Sequence, residues 1–136
     1  MSPELSRAAE AVAAARAAPL SAKKAMLAAL LLDAAADALF AASGEDDVLE
    51  FRAGLAARSE ALRLVFGLCA LRADGPRLVT EAVAVPAGEY DALSVQDLMV
   101  SLYNNRTVQR VRVAVGDQRW DVHAVLAEGL VALSRT

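Results

Sequence analysis

The chain has 136 residues and a formal net charge of −3, and 57% of its residues are hydrophobic although only 4% are aromatic. This length suits one domain with a substantial core, and the many alanines favour closely packed helices. The negative charge argues against general attraction to nucleic acid or to an anionic membrane. One cysteine and one histidine can form neither an internal disulfide nor a Cys/His zinc site. We therefore expect a cytoplasmic protein without a cofactor.

Two helices are predicted in the N-terminal third of the chain. The first covers residues 3–18, with Ser2 as its N-cap and Pro19 directly after its end. Ser21 can cap a second helix, which we expect to continue until Gly44 provides a C-terminal stop. The short connection predicts that the two helices lie side by side or at a sharp angle.

The second helix is apolar from Ala25 to Ala42 except for Asp33 and Asp37. A helix that is apolar on nearly every side is normally surrounded by other parts of the protein. Its 18 apolar residues are at the lower limit for a membrane span, and two carboxylates near the middle would be costly in lipid. We therefore expect a packed helix that does not cross a membrane.

A third long helix is predicted from Asp46 or Asp47 to about Leu71, because apolar residues recur in it with a seven-residue spacing. The repeated positions are Val48, Leu55, Leu62 and Cys69. At 100° per residue the same stripe also includes Arg58. A guanidinium that points toward a neighbouring helix needs acceptors.

The sequence therefore predicts an ion pair of Asp33 and Asp37 with Arg58, at least partly buried. Lys23 and Lys24 are alternative partners for the two acids. A second interpretation makes the acids ligands of a divalent cation in a metal-dependent enzyme, because i,i+4 spacing puts both carboxylates on one side of the helix. That site would need further oxygen ligands.

The turn residues Asp74-Gly75-Pro76 mark a change of pattern. A strand is predicted over 78–85, followed by a helix from the capping residue Ser94 to about Tyr103. We expect the apolar side chains of that short helix to form its inner face; they are Val95, Leu98, Met99 and Leu102.

A β-hairpin is predicted next, with strands at 108–115 and 118–122 joined by a turn at Gly116-Asp117. In that register Val113 lies opposite Trp120 on the core side and Arg112 lies opposite Asp121 on the solvent side. A final helix is expected over 122–133.

This order of elements predicts an α+β fold, in which an antiparallel three-helix layer packs on a small, mostly antiparallel sheet made from strand, helix, hairpin and helix. We expect a single domain over 1–136. Its helical half (about 1–73) and its mixed half (about 74–136) would share one core, because each half alone would have a thin one.

Positive charge is concentrated around the hairpin of this otherwise acidic chain. With Tyr103 and Asn105 beside them, these arginines could bind a phosphate or a nucleic-acid backbone; the positively charged residues are Arg106, Arg110, Arg112 and Arg119. Arginines on a hairpin also protect an edge strand from pairing with another sheet, and Asp117 and Asp121 can neutralise part of their charge.

The chain contains none of the phosphate-binding, nucleophile-elbow or zinc-protease motifs. Cys69 falls within an apolar stripe, where a thiol is packing, and its spacing from His123 fits no nucleophile-base pattern. We expect no catalytic residues. The leading hypothesis is a non-catalytic interaction or assembly module that self-associates through its helical half, with an unknown protein as a further possible partner. The alternatives are the anion site on the hairpin and the metal-dependent enzyme.

Overall fold

The computed structural model describes residues 2–85, 93–103 and 106–136. Within them the chain forms six helices and one antiparallel sheet of three strands. In chain order the elements are α1 (Pro3–Ala17), α2 (Ala22–Ser43), α3 (Val48–Arg58), α4 (Glu60–Ala70), β1 (Arg77–Ala84), α5 (Val95–Tyr103), β2 (Thr107–Val115), β3 (Gln118–Asp121) and α6 (Val122–Ser134). The α+β class predicted from the sequence is confirmed.

The ends of α1 and α2 follow the predicted capping residues. The Ser2 hydroxyl accepts a hydrogen bond from the amide of Leu5, and the Ser21 hydroxyl accepts one from the amide of Lys24. Gly44 ends α2 in a left-handed conformation (φ 78°) that glycine adopts without steric cost.

The predicted third helix is two helices, because the chain breaks at Ser59. This residue has extended backbone (φ −140°, ψ 112°) and is both the C-cap of α3 and the N-cap of α4. Its amide donates to the carbonyl of Leu55 at 3.0 Å, and its hydroxyl accepts from the amide of Leu62 at 3.2 Å. Serine competes with helical hydrogen bonding in this way, which is why it favours caps over helix interiors. The prediction of one continuous helix was wrong at this position.

Helix α2 is the centre of the helical layer. It contacts α1, α3, α4 and α6, so the last helix of the chain packs into the layer formed by the first ones. Leu32 of α2, Leu62 of α4 and Leu126 of α6 are fully buried in this shared core. By length and composition alone α2 could cross a membrane. In the folded protein only 33% of its apolar window is buried, and Leu27 and Leu30 are exposed, so the other helices surround it less completely than the sequence predicts.

The sheet has β2 in the centre, with β1 and β3 antiparallel to it. The hairpin has the predicted register: Val113 pairs with Trp120 and Arg112 pairs with Asp121. Leu78 of β1 pairs with Val113 and belongs to the apolar side that packs against the helical layer. The opposite side carries charged residues and is partly covered by α5.

Helix α5 packs on β2 in an orientation opposite to the predicted one. Ser101 is fully buried, and Asp97 forms an ion pair with Arg110 of β2. The four apolar residues expected on the inner face are exposed instead. On the inward side, Asp97 binds Arg110 of the sheet, whereas the hydroxyl of Ser101 donates to the carbonyl of Leu98 within the same helix.

Candidate functional site

The two acids of α2 bind one guanidinium, and it belongs to Arg52 of α3. Arg52 Nη2 contacts Asp33 Oδ1, and Arg52 Nη1 donates to Asp37 Oδ1 at 2.9 Å. The same Nη1 atom lies 3.4 Å from the Asp33 carbonyl oxygen. The guanidinium carbon is 4.1 Å from the ring centroid of Phe66 on α4, which places the cation over an aromatic face. Three helices are thus joined at this one side chain.

The predicted partner Arg58 is therefore corrected to Arg52. On α3, Arg52 and Arg58 lie about 60° to opposite sides of Leu55 at 100° per residue, so both flank the buried stripe. A contact between the rings of Phe40 and Phe51 (5.6 Å between centroids) holds the first turn of α3 near the end of α2 and brings the Arg52 flank to the acids. Arg58 is exposed at the last position of α3 and lines a surface hollow with Arg135, the residue directly after α6.

Cys69 of α4 lies close to this ion pair and is half-buried. Burial, and secondly the negative charge of Asp33, raise the pKa of the Cys69 thiol from 9.0 to about 12, while the guanidinium of Arg52 acts in the opposite direction. A thiol with such a pKa is protonated at neutral pH and is a poor nucleophile. The structure gives Cys69 a packing environment.

The hairpin arginines are engaged by carboxylates. Arg110 Nη2 lies 3.1 Å from Asp97 Oδ2. Glu81 of β1 lies between two others: Arg112 Nη1 is 3.9 Å from Glu81 Oε1, and Arg119 Nε is 3.4 Å from Glu81 Oε2. Two carboxylates thus pair with three of these arginines, so part of the positive charge is balanced within the described structure.

Of the remaining residues predicted at the anion site, Arg106 is exposed, with a left-handed backbone (φ 61°), and its amide donates to the Ser101 carbonyl. Asn105 and the side chain of Tyr103 lie outside the described residues. Anion binding through this set stays a prediction.

A cavity of about 550 Å³ lies between the turn that joins α1 to α2, the start of α5, β2 and the start of α6. Its polar lining includes Ser94, Gln96, Arg110, Asp121 and His123. Its charged groups already have partners, because Arg110 binds Asp97 and the Asp121 carboxylate caps α6 through the amide of Ala124.

His123 contributes one unusual atom to the wall of this cavity. Its Nε2 lies 3.0 Å from the carbonyl oxygen of Pro19, and because a carbonyl can only accept, the Nε2–H donates. The Nδ1 atom is buried and has no hydrogen-bond partner among the described residues. In the neutral ring this atom is an acceptor without a donor.

The exposed side of α5 is the most distinctive surface of the described structure. We call its four residues the α5 apolar face; their exposed fractions are 76% for Val95, 37% for Leu98, 56% for Met99 and 71% for Leu102. They occupy about 100° of the helix circumference, at the i, i+3, i+4 and i+7 positions. An apolar stripe of this kind is normally buried against another element.

No group of three or more His, Cys, Asp or Glu side chains within residues 2–85, 93–103 and 106–136 could hold a metal ion. Several of the described acids are partners of arginines, as Asp33, Asp37, Glu81 and Asp97 are, and Asp47 caps α3 through the amides of Leu49 and Glu50.

Comparisons with protein-family models, with curated proteins and with solved structures found no match to this chain.

Sequence reasoning missed the α5 apolar face as a surface, although it identified all four residues and their helical spacing. The available signal was the opposite side of the helix, where Asp97 and Ser101 could bind a strand that carries Arg110. Reading that signal required knowing that α5 lies on the charged side of the sheet.

Proposed function

We propose that this protein is a non-catalytic interaction module that self-associates, and that the α5 apolar face makes the contact. The observation that supports the proposal is the exposure of four adjacent apolar side chains on a helix whose polar side faces the protein. Burying apolar surface of this kind on association is favourable by roughly 25 cal/mol per Å².

Helix α5 cannot hide this face by rotating. Rotation would break the contact between Asp97 and Arg110 at 3.1 Å and would bring Ser101 out of its buried position. It would also leave a partly buried guanidinium without its carboxylate, which is costly. The face is therefore best covered by a second molecule.

This assignment moves the predicted interface from the helical half to the mixed half of the chain. The helical half also exposes apolar side chains, among them Leu49 (78%) and Leu71 (80%) as single residues and the pair Leu27 (52%) and Leu30 (47%) on one side of α2. That pair is smaller than the α5 apolar face and lies on a helix whose Lys23 and Lys24 are also exposed. It offers a matched comparison surface, because both candidates are exposed leucines on helices.

The experiment measures the molar mass of the protein over a wide range of concentrations by sedimentation equilibrium. We expect the wild-type mass to rise above 14.2 kDa with concentration and the Leu98→Glu/Leu102→Glu variant to stay at the monomer mass. The control variant Leu27→Glu/Leu30→Glu should associate as the wild type does. Circular dichroism confirms that each variant is folded.

A wild-type mass that stays at 14.2 kDa at every concentration would overturn the proposal. So would dissociation caused by the α2 substitutions when the α5 substitutions have no effect, because the interface would then lie in the helical half.

A further inference from the structure

We infer that two copies of this chain meet through their α5 helices in an antiparallel arrangement about a two-fold axis, with Leu98 of one copy against Met99 of the other. This inference rests on the proposed function and specifies the partner and the geometry of its contact.

The residues of the α5 apolar face have the same spacing whether the helix is read from its N-terminus or from its C-terminus. Its residues are separated by three, one and three positions, with the midpoint between Leu98 and Met99. A two-fold axis through that midpoint places Val95 opposite Leu102 of the other copy, and Leu98 opposite Met99. The smallest residue of the face then meets a longer one at each end. An isologous contact requires this kind of self-complementarity.

The charge of the face also suits a second copy. The face contains no charged side chain, so two identical faces meet without repulsion between like charges. Asp97, which is the charged residue of α5, points to the other side of the helix and is held by Arg110. The face offers no charged group that could bind a partner of opposite charge.

The direction of α5 favours the antiparallel arrangement over the parallel one. The N-terminal end of a helix carries partial positive charge and the C-terminal end partial negative charge. Antiparallel pairing brings unlike ends together, whereas parallel pairing brings like ends together.

The length of α5 sets the strength of the contact. Nine residues span about 13 Å at ~1.5 Å per residue, so one face of this helix is much smaller than the ~800 Å² that each partner contributes to a standard interface. We therefore expect a weak and concentration-dependent dimer.

The orientation can be tested by disulfide cross-linking in a Cys69→Ala background, with oxidised glutathione as the oxidant. A disulfide requires Cα atoms within about 7 Å. In the antiparallel pair, a cysteine at position 95 lies near a cysteine at 102 of the other copy and far from its own equivalent. Within one helix, positions 95 and 102 are about 10 Å apart along the axis, so they cannot link to each other.

We expect the Val95→Cys/Leu102→Cys double variant to give a covalent dimer as its main product on a non-reducing gel. The single variants Val95→Cys and Leu102→Cys should stay monomeric on the gel. Single variants that cross-link as well as the double variant would overturn the antiparallel arrangement and indicate a parallel one. A double variant that stays monomeric on the gel would also overturn it, provided that its mass in solution shows association.

Failure of this inference is separate from failure of the proposed function. If the wild-type protein associates but the cysteine variants cross-link in the wrong pattern, the antiparallel geometry alone is overturned. If the wild-type protein stays at the monomer mass, both the geometry and the proposed function are overturned.

Discussion

Asp97 on α5 and Arg110 on β2 form an ion pair, with 3.1 Å between Oδ2 and Nη2, that holds the polar side of α5 against the sheet. Ser101, one turn further along, is fully buried and donates its hydroxyl to the carbonyl of Leu98. Among the described contacts the Asp97–Arg110 pair is thus the side-chain ion pair that links α5 to the sheet, while the apolar residues of the helix remain available to another molecule.

Replacing Asp97 should loosen α5 without unfolding the rest of the protein. We expect Asp97→Asn to weaken the docking of α5 by about 1 kcal/mol, because one charge-assisted hydrogen bond is lost. Native-state hydrogen exchange should show faster exchange of the α5 amides, with the α2 amides unchanged. Asp117→Asn, at the exposed hairpin turn, is the matched control and should leave both unchanged. Equal effects of the two substitutions would contradict this role of Asp97.

The two arginines that flank the buried stripe of α3 should differ in their effect on stability. Arg52→Met removes the partner of Asp33 and Asp37 and should lower the free energy of unfolding by about 1–3 kcal/mol. Arg58→Met makes the same change at an exposed position and should alter it by less than ~0.5 kcal/mol. Urea titration of both variants measures the difference. A larger loss for Arg58→Met would restore the ion pair predicted from the sequence.

The raised pKa of Cys69 predicts a loss of stability at high pH. In the unfolded chain the thiol ionises near its ordinary pKa of 9.0, whereas in the folded protein it remains protonated until about 12. The folded state therefore binds more protons between these values, so stability is full below pH 9 and declines as the pH rises toward 12. We expect Cys69→Ala to show a shallower decline than the wild type in denaturation curves measured from pH 8 to 11. Identical slopes would exclude the shift.

Two helical glycines should respond in opposite ways to alanine. A Cβ atom at Gly67 of α4 would lie 2.6 Å from Cγ of Pro76, so Gly67→Ala must displace the turn before β1 and should cost about 1–3 kcal/mol. At Gly129 of α6 the nearest atoms, on Leu62 and Val65, are 3.6 Å away, which is ordinary contact. Gly129→Ala should therefore raise the free energy of unfolding by about 0.5–1 kcal/mol, through the higher helix propensity of alanine. Thermal unfolding distinguishes the two, and a stabilised Gly67→Ala would show that the turn yields without cost.

Local chemistry made much of the fold predictable. Ser2 and Ser21 cap their helices through hydrogen bonds that span three residues, so each signal lies within a few positions of its effect. The hairpin register follows from a two-residue turn at Gly116-Asp117 and from alternation along the strands. Each of these features can be predicted without knowing which residues from distant parts of the sequence lie nearby.

The features that the sequence did not reveal depend on the direction in which a neighbour lies. Arg52 and Arg58 flank the same stripe, and the flank with Arg52 meets the acids, where Arg52 also lies over the ring of Phe66 and Phe51 contacts Phe40. At Ser59, the propensity of one residue prevails over a seven-residue pattern that continues on both sides of it. For α5, the apolar spacing correctly indicated that four residues share one face of the helix. It did not show that the opposite, polar face packs against the charged side of the sheet.

The position of α6 in the helical layer has a consequence for how the chain is made. Because α6 packs against α1, α2 and α4, the earliest helices to leave the ribosome expose apolar surface until the residues of Val122–Ser134 follow them. The contacts that close the core join positions about a hundred residues apart, as between His123 and Pro19. Until then the contacts of α2 with α1 and α4 cover only part of the apolar surface of these helices, so the shared core is complete only once α6 has been made.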